Sequence, residues 1–166
     1  VEKEKYFHGI SYGVNLFYMK ADNMIRTVAK KNVNTGELEN WGAEAELSWT
    51  IKEHWGINTN HSWLHQENKL VSVPTYKGYL GVDWYSKKHK WMASVGLQQL
   101  AGLYTAVGKD EQKENVTLLN ATVKYNLNKY ISLWAKGENL LAQEYEILAG
   151  YPMPKATAMG GVKVSF

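Results

Sequence analysis

Aromatic residues recur eight positions apart in three successive segments: Trp41 with Trp49, Trp55 with Trp63, and Tyr76 with Trp84. On a β-strand an even spacing puts both members of a pair on one face. Eight residues at ~3.3 Å rise, on a strand tilted by ~40°, hold the two rings roughly 20 Å apart across a membrane, close to the ~25 Å apolar band of a membrane barrel. Aromatics favour the two edges of such a band, where the ring is half buried and its polar edge stays wet. Between the paired rings the same face carries Ala43, Ala45 and Leu47, then Ile57 and Thr59, then Gly78, Leu80 and Val82. The opposite face carries Glu44, Glu46, Ser48, Asn58, Asn60, Ser62, Lys77 and Asp83. The pattern predicts an all-β fold, the wall of an antiparallel transmembrane β-barrel, apolar outside and polar inside.

Composition is compatible with that wall and excludes several other classes. No run approaches the ~18 apolar residues that a spanning helix needs. A mean hydropathy of -0.42 would ordinarily indicate a soluble protein, but a barrel strand is half lumen and averages out as polar. Seven Trp and eleven Tyr in 166 residues favour the membrane. The formal charge of +3 is too small to argue for nucleic acid, and no basic cluster is interleaved with aromatics in an RNA-binding pattern. The absence of Cys removes disulfides and thiolate metal sites. No signal peptide is present and the chain starts at Val1, so a secreted origin requires processing or truncation upstream.

Period-two alternation predicts about nine strands. They are Ile10–Tyr18, Met24–Ala29, Trp41–Ile51, Trp55–His65, Thr75–Ser86, Trp91–Leu100, Leu119–Leu127, Ile131–Glu138 and Gly160–Phe166. Short connections (Lys20–Asn23, Lys52–His54, Lys87–Lys90, Asn128–Lys129) alternate with long ones (Lys30–Asn40, Gln66–Pro74, Ala101–Asn115, Leu141–Lys155). Outer-membrane barrels have short periplasmic turns and long external loops. Tracing back from a periplasmic Phe166, an odd count starts the first strand outside the cell. A chain delivered from the periplasm does not start there, so the expectation is the C-terminal part of a larger barrel, with strands missing before Val1.

Several stretches resemble the C-terminal third of a TonB-dependent outer-membrane receptor. Phe17-Tyr18 followed by Asp22-Asn23-Met24-Ile25 resembles a strand-turn-strand of that family, Asn40-Trp41-Gly42-Ala43-Glu44 its Gly-x-Glu strand opening, and Pro74-Thr75-Tyr76-Lys77-Gly78 the proline that launches a strand from an external loop. Most specific is the order Glu138-Asn139-Leu140-Leu141-Ala142-Gln143-Glu144-Tyr145, then Gly150-Tyr151-Pro152-Met153-Pro154, then Gly160-Gly161-Val162-Lys163-Val164-Ser165-Phe166. Lys155-Ala156 stands where the family commonly has Gly-Arg. The resemblance implies a plug domain and a TonB-engaging segment upstream, and it implies that the last strand, with Val162, Val164 and Phe166 outward, is the signal read by the barrel-assembly machinery. It also implies the outer membrane of a Gram-negative bacterium, with lipid, TonB and a small nutrient ligand as partners and no cofactor.

Residues that could carry chemistry have ordinary explanations. His61 and His65 are roughly 13 Å apart on a strand, too far to share one ion, which favours hydrogen-bonding and interfacial roles. His8, His54 and His89 fall at strand starts or turns. Glu44 and Glu46 share a face about 7 Å apart, as lumen charges paired across strands do. No nucleophile motif, phosphate loop or zinc pattern is present, so an enzyme is not expected. The ligand-facing candidates lie in external segments, Leu103-Tyr104-Thr105-Ala106 and Tyr145–Tyr151. Tyr104, Tyr145 and Tyr151 stand out there, although Tyr145 and Tyr151 also fit as girdle residues anchoring the loop.

Three functions compete. The first is energised uptake of a scarce nutrient (an iron chelate, haem or cobalamin), in which external loops capture the ligand, a plug blocks the lumen and TonB rearranges the plug. The second is a small self-sufficient outer-membrane barrel with a structural or diffusion-channel role, which needs an even strand count. The third, a soluble lipocalin-like barrel, would turn its apolar face inward, against the paired aromatics at strand ends.

Overall fold

A computed structural model of the chain describes residues 9–28 and 31–166. Eight strands form one antiparallel sheet: β1 (Ile10–Val28), β2 (Lys31–Ile51), β3 (Trp55–Gln66), β4 (Tyr76–Tyr85), β5 (Trp91–Ala106), β6 (Gln112–Asn126), β7 (Ile131–Glu138) and, at its far edge, β10 (Thr157–Val164). Between β7 and β10 the chain forms a small hairpin, β8 (Glu146–Leu148) and β9 (Tyr151–Pro152). Each strand pairs with its neighbour in sequence, except that β10 follows β7. The sheet is open, with β1 and β10 at opposite edges.

Register determines what each face carries, because residues opposite one another across antiparallel strands share a face. One row runs Tyr12, Leu47, Thr59, Leu80, Leu97 and Leu119 through six strands. The adjacent row on the other face runs Gly13, Glu46, Asn60, Tyr79, Gln98 and Leu118. The apolar row is not a core: Tyr12 is 80% exposed and Leu80 46%. Among the described residues the buried apolar side chains are Leu38, Leu103, Tyr104, Val116 and Leu118, all toward the long-loop end of their strands. An apolar face this broad, left open to its surroundings, is a surface for lipid rather than for water.

The polar face is tied together along its own rows. Asp83 on β4 accepts from Asn58 Nδ2 on β3 (3.0 Å) and from the Ser94 hydroxyl on β5, while Asn58 also bonds Ser48 on β2. One carboxylate thus links four strands, and its position opposite Gly56 and Ser94 follows from register alone. Large rings on this face lie over glycines. A Cβ on Gly96 would meet the Tyr79 ring at 2.8–2.9 Å, and one on Gly161 would meet the Trp134 indole at 2.9 Å. The Gly160-Gly161 step near the chain end therefore makes room for Trp134.

Two sequence expectations are corrected. The expected turn at Lys20–Asn23 is strand: β1 continues from Ile10 to Val28 against β2. Irregularities between Ala21 and Met24, and between Met24 and Ile25, each add one residue, the first on β1 and the second on β2, so the register recovers. A bulge absorbs polar residues that in sequence resemble a turn. The expected loop Lys30–Asn40 is likewise the outer half of β2, while Ala29, Lys30 and His8 lie outside the described residues. Among the described residues the sheet therefore has eight strands rather than nine, Ile10 lies at the short-turn end beside Thr50, whose N–H bonds Gly9 O at 3.0 Å, and the odd-count argument for preceding strands no longer holds. The second correction concerns Ala101–Asn115, expected as loop: β5 runs to Ala106 and β6 begins at Gln112.

Leu80 stands four residues from both Tyr76 and Trp84, midway between the two aromatic levels. Leu80→Arg is expected to destabilise the folded protein in a bilayer by about 2–4 kcal/mol, the range for an outward charge at the midplane. Tyr79→Arg, on the other face, is expected to cost well under that. Urea unfolding in lipid vesicles measures both, and equal losses would contradict the face assignment.

Candidate functional site

The aromatic residues expected as girdles occupy two levels of the apolar face. At the long-loop level Trp41 stacks on His65 (centroids 4.9 Å) and Trp63 contacts Tyr76 (5.6 Å) across the β3–β4 pair. At the turn level Trp55 faces Trp84 in register, with Trp49 nearby on β2, and Trp91 packs on Tyr125 at 4.4 Å. Trp91 and Tyr125 were not singled out from sequence, although their parity with Ala93 and Val123 identifies them.

His61 lies between Trp63 and Tyr76, 5.6 and 6.0 Å from their rings. Its Nδ1 is 2.7 Å from Tyr76 OH and its Nε2 2.9 Å from Thr59 Oγ1. The single Thr59 hydroxyl proton is donated to Tyr79 O (2.8 Å), so Thr59 accepts from Nε2–H and Nδ1 accepts from the Tyr76 hydroxyl. The ring is a polar bridge whose two nitrogens are both satisfied, on a face where unpaired polar groups are costly.

At the long-loop end of the strands three connecting segments are joined into one cluster. Segment 67–75 is held by Glu67 N–H on Glu39 O (3.2 Å), Asn68 Nδ2 on Glu37 O (3.0 Å) and Ser72 N–H on Tyr104 O (2.8 Å). Ser72 Oγ also donates to Ile147 O of β8 (2.9 Å). The β8–β9 hairpin is tied to the sheet by Ala149 N–H on Thr105 O (3.0 Å) and by Glu146 N–H on the Glu114 carboxylate (2.9 Å). Lys69 pairs with Glu111 at 2.7 Å, and that hydrogen bond raises the ammonium pKa above its ordinary value.

Asn139 anchors the longest segment. It is buried, with φ of +49°, a left-handed conformation that Asn tolerates better than most residues. Its Nδ2 donates to Gln143 O (2.8 Å) and Pro154 O (3.1 Å), its Oδ1 accepts from Gln143 N–H (2.9 Å), and its own N–H donates to Asn120 Oδ1 (2.9 Å). The Asn-Leu step of the sequence is therefore a clasp that closes 140–154 into a loop. Lys155 pairs with Glu144, and its hydrogen bond followed by its charge holds that carboxyl below its usual pKa.

The three tyrosine candidates separate. Tyr104 lies on β5 rather than in a loop and is 9% exposed, under segment 67–75 with Lys69 and Lys113 against its ring. The expectation of an exposed loop residue is corrected for it. The Ala101-Gly102 step reads as the start of a loop, whereas Gly102 (φ +65°) only shifts the strand register. Tyr145 is half-buried; burial, then the nearby Glu138, raises its phenol pKa. Tyr151 is 68% exposed on β9, with Leu141 and Leu148 also exposed in the same segment. Leu148 and Tyr151 stand opposite each other across the strapped hairpin, so its exposed apolar side chains are held with little loop entropy left to lose.

Removing the Asn139 clasp should loosen this surface. Asn139→Ala is expected to lower the local opening free energy of 140–154 by about 1–3 kcal/mol, the cost of stranding buried polar groups. Hydrogen exchange at Gln143 reports it. Exchange at the wild-type rate would show that the loop is held elsewhere.

Residues 3–140 match the family model described as TonB dependent receptor-like, beta-barrel. No curated protein matches the chain. Solved structures similar in fold include the ferric-catecholate import receptor Fiu from K12 E. coli in its closed form (TM-score 0.70, 15% identity, 95% of this chain and 25% of that one). The copper transporter OprC (TM-score 0.76, 15% identity, 95% and 29%) is another. So is the ferric yersiniabactin uptake receptor FyuA from Yersinia pestis (TM-score 0.76, 15% identity, 95% and 28%). The chain thus spans between a quarter and three tenths of these receptors' length. With an open antiparallel sheet, apolar on one face and polar on the other, matched to that model over most of its length, the chain belongs to the TonB-dependent receptor β-barrel family.

Proposed function

We propose that the chain is wall and external loops of an outer-membrane receptor that takes up a scarce nutrient, of the iron-chelate, haem or cobalamin class, with energy delivered through TonB. The observation that carries this reading is the strapped loop cluster at the long-loop end, whose β8–β9 hairpin leaves Tyr151 and Leu148 exposed. Solved receptors of similar fold are named for ferric-catecholate import and ferric yersiniabactin uptake, which supports the iron-chelate class within that range. The chain contributes capture, while the plug and the TonB-engaging segment belong to a larger barrel of a Gram-negative bacterium. Tyr151→Ala in the intact receptor is expected to weaken ligand binding by about 1–3 kcal/mol, as loss of an aromatic anchor does, and to leave the thermal unfolding temperature unchanged. Calorimetric titration with ferric chelates, haem and cobalamin tests it; binding of none of them would contradict the proposal.

Assembly uses the other end. Val162 and Val164 are exposed on the apolar face and Phe166 is fully exposed just beyond β10, where Ser165 N–H still bonds Tyr130 O at 2.8 Å. Deleting Phe166 is expected to reduce surface levels several-fold, read by heat-modifiability and protease shaving, with ligand affinity of the assembled fraction retained. Wild-type surface levels would refute an assembly role.

The even strand count among the described residues favours a second reading, a self-sufficient eight-stranded barrel. That reading needs β1 against β10, which the open sheet does not show. Cysteines at Tyr12 and Val162 would crosslink in such a barrel; the larger-barrel proposal expects no crosslink.

A further inference from the structure

One row of the apolar face is polar. It runs Ala45, His61, Gly78, Gln99 and Thr117 in register across β2 to β6, two residues toward the long loops from the row that holds Leu80. A Cβ on Gly78 would collide with the Tyr76 hydroxyl, so the phenol lies over Gly78 at the level of His61 and Gln99. The hydroxyl protons in and beside this row are committed within the protein: Tyr76 to His61 Nδ1 (2.7 Å), Thr59 to Tyr79 O (2.8 Å) and Thr117 to Gln99 Oε1. What is left over is the amide nitrogen of Gln99. Among the described residues neither hydrogen of its Nε2 meets a protein acceptor. The side chain is half-buried, between Leu97 and Ala101 on the outward face.

An unpaired amide in apolar surroundings is costly, and depth selects what can pair it. Gln99 lies two residues from Ala101, which faces Tyr76 and so shares the long-loop aromatic level. Two residues at ~3.3 Å rise, on a strand tilted by ~40°, put Gln99 roughly 5 Å inside that level. Aromatic rings mark the headgroup layer, so Gln99 reaches the first atoms of the lipid tails. A saturated tail offers no acceptor. The carbonyl that joins the tail to its headgroup offers one at this depth. We infer that Gln99, with Tyr76 and Thr117 on either side, is a lipid site that recognises the acyl carbonyl, ester or amide, of a lipid in the leaflet beside the long loops. Thr117 holds the amide oxygen and leaves Nε2 to donate outward, while Leu80 and Leu97, 46% and 40% exposed, receive the tail. A neighbouring polypeptide would have to bring an unpaired carbonyl of its own into the bilayer, which is the costlier arrangement. The inference rests on the face assignment and is independent of the nutrient taken up.

Competition between two lipids tests it. The intact protein is reconstituted in nanodiscs holding equal amounts of a diacyl phosphatidylethanolamine and its dialkyl ether analogue, alike except for the two carbonyls. Lipids that stay bound on release from the disc are counted by native mass spectrometry. The expected result is about fivefold retention of the diacyl lipid over the ether, the ratio that one net hydrogen bond gives. Gln99→Leu, which places an apolar side chain on the apolar face, should bring that ratio to one. Gln98→Leu, on the polar face, should leave it unchanged, and heat-modifiability confirms that each variant is folded. Equal retention of the two lipids by the wild type, or a diacyl preference that survives Gln99→Leu, would overturn the inference. A photoreactive benzophenone residue in place of Leu97, beside Gln99 on the same face, covers the other occupant in cell envelopes. A lipid adduct is expected there, and a polypeptide adduct in its place would also overturn the inference.

Discussion

A strand in hydrocarbon must place every backbone N–H and C=O in a neighbouring strand, because nothing in lipid can replace a lost partner and each unpaired group costs several kcal/mol. That constraint orders the molecule. It forces long antiparallel neighbours, and each strand of the sheet is bonded to the next from β1 through β7 to β10. It also leaves side chains as the only means of telling one face from the other. Leu80 and Leu97 can be exposed and still be in their proper solvent, while Asp83 on the opposite face accepts from the Asn58 amide and the Ser94 hydroxyl, and Asn58 in turn accepts from Ser48. His61 satisfies the same rule by a different route. It is a polar ring on the apolar face, and both its nitrogens are bonded to neighbours of that face.

The two ends of the strands solve separate problems. At the long-loop end the polypeptide leaves the sheet, and its backbone groups are satisfied one by one, by Asn139, Ser72, Asn68 and Glu114. That specificity fixes the β8–β9 hairpin and so presents Tyr151 and Leu148 to solvent. At the turn end the connections are short, and Lys87, Lys88, Lys90 and Lys129 lie within them.

Alternation makes the wall legible: the face of each strand residue between Trp41 and Leu100 follows from parity, and strands such as Ile131–Glu138 are bounded as the sequence suggests. Boundaries failed where local composition imitates a turn. Lys20-Ala21-Asp22-Asn23 is polar enough to end a strand, but paired irregularities keep β1 running, and strand parity at the N-terminal end changed with it. Tyr104 was misplaced for a similar reason, since Gly102 signals a loop and acts as a bulge. Asn139 was visible as part of a motif but not as a clasp, because its partners Asn120, Gln143 and Pro154 meet only in the folded chain.

The central claim is that one face meets lipid and the other water. Spin labels placed singly at each position from Tyr76 to Tyr85, in the intact protein reconstituted in vesicles, test it most directly by their collision with oxygen, which dissolves in lipid, and with a polar nickel complex, which does not. The account predicts period-two oscillation, with oxygen accessibility highest at Gly78, Leu80 and Val82 and the nickel complex favouring Lys77, Tyr79 and Asp83. Uniform accessibility along the strand, or an oscillation of the opposite phase, would contradict it.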